Sequence, residues 1–138
     1  MVEAGIFIGA TEAWLPTGSM VAPHMAERVE QRSANFARMH REGARLVCCS
    51  DAGASPRKPH GVLTYGILHF GSLGLTNTEA LASATSLAAQ ACGLAERKGR
   101  IAVGYDAALI AVVGNPLQHL ETLLDIRAVI RAGTIFQG

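Results

Sequence analysis

The stretch Val47-Cys48-Cys49-Ser50-Asp51-Ala52-Gly53-Ala54 runs from apolar residues straight onto a carboxylate, a small residue and a glycine. Two roles fit an aspartate in that place. One is to start a turn, with a side chain that accepts backbone N–H groups ahead of it. The other is to serve as a ligand or a base at the mouth of a barrel. His60 follows in the same loop and meets either a substrate or solvent. Arg57 and Lys58 beside it read as solvated loop charges in preference to a site for a substrate carboxylate. His24 and His119 have no evident partner, while His40 and His69 fall in predicted helices as surface or boundary residues.

Other chemistries lack their residues. The stretches GSLGLT and GIFIGAT have neither the G-x-G-x-x-G spacing nor the Gly-Lys-Ser/Thr ending of a phosphate cradle. No Gly-x-Ser-x-Gly elbow is present to support a serine hydrolase. Of the three cysteines two are adjacent, and neighbours on a strand point to opposite faces, so a disulfide framework is a poor fit. With no Cys-x-x-Cys zinc spacing, all three read as small core fillers in a reducing cytoplasm.

The elements that must position Asp51 alternate between β and α. Gly5 to Ala10 is a short apolar run edged by glycines, the pattern of a parallel strand buried on both faces. EAWLPTGSMVAP is a loop. Ala26 to Glu42 lacks Gly and Pro and is stopped by Gly43, which predicts a helix with Val29, Ser33, Phe36 and His40 along one side. Arg45 to Ser50 is a second buried strand, completing a βαβ unit with a right-handed crossover.

After the loop AGASPRKPHG, VLTYGILHF predicts a short helix. Thr76-Asn77-Thr78-Glu79 matches a capping box that opens one alanine-rich helix, NTEALASATSLAAQAC, ending at Gly93. Beyond Gly99 the pattern turns to β. GYDAALIAVVG holds one strand, PLQHLETLLD is helical or turn-like, and IRAVIRAGTIF holds two short strands about an Ala-Gly turn.

The 138 residues, 49% hydrophobic and 17% charged, suit a soluble globular α/β chain with a core. A formal net charge of +1 with dispersed arginines offers no field for nucleic acid or anionic lipid. The opening MVEAGIFIGATEAWL lacks the basic start of an export signal, and no run approaches the ~18 apolar residues of a membrane span.

The stretches MHREGARLVCCSDAGASPRKPHG and GLTNTEALASATSLAAQACGLAERKGRIAVGYDAALIAVVGNPLQHL resemble the metal-dependent amidohydrolases of the imidazolonepropionase-like group. The resemblance implies a (β/α)₈ TIM barrel with an added β-sandwich. Residues 1–98 would then be the last two βα units of the barrel, and residues 99–138 a small β segment of the sandwich. Ile6 to Ile8 would form the seventh barrel strand and Arg45 to Ser50 the eighth.

By the same resemblance Asp51 matches the aspartate that binds the metal and takes a proton from the attacking water. His60, in Pro59-His60-Gly61, matches a substrate-contacting position. The implied cofactor is a divalent metal, zinc by preference, and the implied reaction is hydrolysis of a C–N bond in an amide, cyclic amide or dipeptide. The family's His-x-His pair and its further ligands do not occur in this sequence. A catalytic metal needs about three protein donors, so this chain alone is expected neither to bind zinc tightly nor to turn over. A complementary N-terminal half or a second copy is the expected partner. The alternative is a non-catalytic split or truncated module.

Overall fold

The computed structural model describes residues 4–16 and 23–136. The His24 side chain and residues 17–22 of the predicted loop lie outside what is described.

Strand β1 (Phe7–Ala10) pairs in parallel with β2 (Arg45–Cys48), in the register Phe7 to Arg45 through Ala10 to Cys48. Helix α1 (Pro23–Arg41) connects them, starting at Pro23 rather than Ala26 because proline suits the first turn of a helix. It ends at Gly43, whose φ of 80° places it in the left-handed region. Gly43 N–H then donates to His40 O at 2.9 Å and Ala44 N–H to Met39 O at 3.0 Å, a Schellman cap.

β2 is buried as its composition predicts, with Leu46, Val47 and Cys48 all in the interior. β1 differs from expectation. Gly9 is exposed, the flanking Ile6 is 49% exposed, and among the described residues β2 alone pairs with the strand. An apolar strand is buried on both faces only where elements cover both, and among the described residues nothing covers β1 fully at Gly9.

Helix α2 (Leu63–Ser72) follows the loop, and Thr76 opens α3 (Asn77–Ala84) with the predicted capping box. The single long helix expected next is instead two, α3 and α4 (Ser86–Ala91), divided at Thr85 with φ −124° and ψ −95°. Hydroxyls bonded back onto the helix mark the break: Ser83 Oγ donates to Ala80 O at 2.6 Å and Thr85 Oγ1 to Leu81 O at 2.7 Å. Gly99 fits against it, since a Cβ there would stand 2.7 Å from Thr85 O.

The C-terminal residues form an antiparallel sheet of β3 (Leu109–Val112), β4 (Ile126–Arg131) and β5 (Thr134–Phe136). Ala132 and Gly133, with φ of 49° and 80°, make the hairpin turn between β4 and β5. A 3₁₀ helix at Leu120–Leu124 sends Leu120 and Leu123 into the core built by Phe36, Leu46, Cys48, Ile67 and Phe70. The Phe36 and Phe70 rings stack at 4.6 Å, tilted by 60°. Among the described residues no helix is long and apolar enough to cross a membrane.

Candidate functional site

The carboxyl ends of β1 and β2 lie side by side, because the pairing is parallel and in register from Ala10 to Cys48. Cys49 N–H extends the ladder to Ala10 O at 3.0 Å. Beyond it the two chains part, one carrying Thr11, Glu12 and Trp14, the other Ser50 and Asp51.

Asp51 has a φ of 52°, an uncommon conformation for a non-glycine residue that Asp tolerates better than most. Its carboxylate does not start the turn. Ala52 N–H goes to Ser50 Oγ at 3.3 Å, and Ala54 N–H to the main-chain carbonyl of Asp51 at 3.2 Å. The side chain is left half-exposed, and its partner among the described residues is Lys58, with Nζ 3.4 Å from Oδ2.

Lys58 overturns the reading of a solvated loop charge, for it is 2% exposed. Its ammonium donates to Thr11 O at 2.8 Å and lies 4.1 Å from the centre of the Trp14 ring. A lysine can be buried when its stem packs and its head finds acceptors and a π face. Arg57 stays exposed, with its guanidinium 5.5 Å from the same ring.

His60 is exposed. His119 is exposed as well, whereas His40 is half-buried with Nε2 3.3 Å from Glu79 Oε1. Of the cysteines only Cys48 is a true core filler. Cys49 is half-buried and Cys92 exposed, because Cys92 falls where α4 gives way to Gly93. Burial first, then Cys49 and Glu12, push the Cys48 thiol up to about 12.

Glu12 and Trp14 were not legible as site residues. The Glu12 side chain is 11% exposed and lies 3.2 Å from Arg32 Nε and 3.7 Å from His69 Nε2. Burial holds His69 below its ordinary pKa of 6.5, against the pull of Glu12 and with the help of Arg32. The His69 approach is therefore a neutral contact near pH 7, and Arg32 is the cation that meets Glu12. The signal available beforehand was an acidic residue just past each of two parallel strands. Glu12 also borders an open cleft of about 910 Å³ between β1 and α1, which Arg28, Arg32 and Phe36 help to line.

Among the described residues no group of three or more His, Cys, Asp or Glu comes together to hold a metal ion. Among the described residues the strand mouth offers the half-exposed carboxylate of Asp51 as one donor of the kind that the implied divalent metal takes, the remaining donors having to come from elsewhere.

Comparison with known proteins gives the arrangement its context. The chain is similar over 84% of its length to a Xaa-Pro dipeptidase solved with methionine in the active site, at 28% identity and a TM-score of 0.74, and covers 28% of that chain. It covers 99% of itself and 33% of an ochratoxinase from A. niger, at 21% identity and a TM-score of 0.77. For a molinate hydrolase the values are 97% and 33%, with 16% identity and a TM-score of 0.78. The chain thus spans about a third of the length of these structures, the latter two of which show a shared fold. No curated protein matches the chain significantly by sequence. The amidohydrolase family model matches residues 1–136, and the chain belongs to the amidohydrolase family.

Proposed function

We propose that this chain forms the closing portion of a metal-dependent amidohydrolase of the imidazolonepropionase-like group. In this reading β1 and β2 are the last two strands of a (β/α)₈ barrel, residues 1–98 are its barrel portion, and residues 99–138 belong to the β-sandwich. Asp51 supplies one carboxylate to a divalent metal, zinc by preference. The other donors come from a complementary segment or a partner chain. That carboxylate also accepts a proton from the attacking water and returns it to the leaving amine. His60 contacts the substrate, an amide, cyclic amide or dipeptide.

The observation that carries this reading is the placement of Asp51. It stands in a left-handed conformation at the carboxyl end of a strand parallel to β1, with a carboxylate that its own turn does not use. Sites in parallel α/β folds form at that end, since the loops there converge. A cytoplasmic setting agrees with the three free cysteines.

The test is complementation. The 138 residues are combined with a segment carrying the family's remaining metal donors and screened for amidase and dipeptidase turnover with added zinc. Turnover is expected only in the mixture and is lost in Asp51→Asn. Equal turnover by Asp51→Asn would overturn the assignment. A stable complex without turnover would favour a non-catalytic associating module.

A further inference from the structure

Lys58 and Ser83 are the buried polar side chains among the described residues, and nothing in the proposed reaction uses Lys58. An ammonium taken from water needs partners that replace its hydration. Lys58 finds three, on two stretches of chain: the Thr11 carbonyl and the face of Trp14 on the segment that leaves β1, and Oδ2 of Asp51 in its own loop.

The first two fix the cation without help from the third. Thr11 O is the nearest acceptor at 2.8 Å, and the loop main chain closes around the lysine. Lys58 N–H donates to Ser55 O at 2.9 Å, and Lys58 O accepts from Gly53 N–H at 2.7 Å. Asp51, by contrast, is 52% exposed, and its carboxylate has no other hydrogen-bond partner among the described residues. A half-exposed aspartate without a fixed neighbour samples several staggered χ1 wells.

We infer that Lys58 is a positioning residue, whose buried ammonium grips Oδ2 of Asp51 and holds the carboxylate in one rotamer with Oδ1 left unengaged. This rests on the reading of Asp51 as a donor at the strand mouth. A carboxylate held on one oxygen presents the other as a single, pre-oriented donor, and such supporting contacts set how well a site works. Lys58 itself is too buried to touch a substrate.

The test reads the Asp51 side chain directly in the labelled 138-residue chain by NMR, through the three-bond couplings about χ1. The wild type is expected to show one rotamer, with the Lys58 ε-methylene protons shifted upfield by the Trp14 ring. Lys58→Met should average the Asp51 couplings while the cross-strand contacts Gly9 to Val47 and Ala10 to Cys48 persist. A merely structural lysine would not give that combination. Asp51→Asn should leave the Lys58 upfield shift in place, since Thr11 and Trp14 hold the cation.

Averaged Asp51 couplings in the wild type, or a single Asp51 rotamer retained in Lys58→Met, would overturn the inference. Should Lys58→Met not fold, the wild-type couplings and the Asp51→Asn shift decide it. The functional reading fails separately, through complemented turnover that ignores Asp51→Asn, and that result would leave the couplings untouched.

Discussion

The ammonium of Lys58 donates to the main-chain carbonyl of Thr11 at 2.8 Å, so the loop that leaves β2 holds the segment that leaves β1. The main chain repeats the connection, with Leu15 N–H donating to Arg57 O at 3.0 Å. The mouth formed by the two strands is thereby closed into one piece that carries both Glu12 and Asp51.

Lys58→Ala should destabilise the chain by about 2–4 kcal/mol, from an unfilled slot and a carbonyl that loses its donor. The ion pair itself adds little to that figure, because Asp51 is half-exposed and solvent screens it. Urea unfolding followed by the fluorescence of Trp14, the single tryptophan, measures the change.

Gly66→Ala should cost about 1–3 kcal/mol through overpacking. A Cβ on Gly66 would stand 2.8 Å from Cys48 Sγ and 2.9 Å from the Ala13 Cβ, so α2 would be pushed off both strand ends at once. Gly74→Ala is the control. Its φ of 108° is strained for alanine, but beyond its own chain neighbours no atom lies within 4 Å of the added carbon. Thermal or urea midpoints of the two variants separate contact from backbone strain.

Acidification should weaken the fold through His69. Its folded pKa lies below the ordinary value of 6.5, so the unfolded chain binds the proton more readily. The stability it contributes is complete above that value and falls as pH drops through it. His69→Asn should lose less stability between about pH 7 and about pH 5 than the wild type does. Glu79, held below 4.5 first by its bonds to Thr76, acts in a lower window, where its stabilisation is lost as pH falls through its folded pKa. Denaturant midpoints across the pH range resolve the two.

Thiol labelling should proceed in the order Cys92, Cys49, Cys48. Cys92 is exposed, while burial and then Cys92 raise the Cys49 pKa. Cys48 is 5% exposed with its pKa pushed up to about 12, so it should react only on unfolding. Mass spectrometry of timed alkylation reads the order, and early labelling of Cys48 would contradict the packing of β2.

The elements around the site were legible wherever a few neighbouring residues decide them. Gly43 stops α1, Thr76 and Glu79 cap α3, and Ala132-Gly133 turns the last hairpin, each through bonds that span a handful of residues. The parallel order of β1 and β2, with Asp51 at the carboxyl end, followed from the βαβ pattern.

Tertiary structure alone decided the rest. Lys58 looked solvated because its loop is polar and proline-rich, yet its burial depends on Thr11 and Trp14, which belong to another strand's exit. The alanine-rich helix breaks at Thr85 where the chain around Gly99 packs against it, and no helix propensity contains that contact. β1 has the composition of an interior strand but stays partly open, since burial is a property of the neighbours as much as of the residue. Sequence determined the local turns, caps and strand order here because those depend on short-range bonds. The burial of Lys58 and the pairing of Glu12 with Arg32 were settled only when distant segments met, because an ion's partners are set by distance in space.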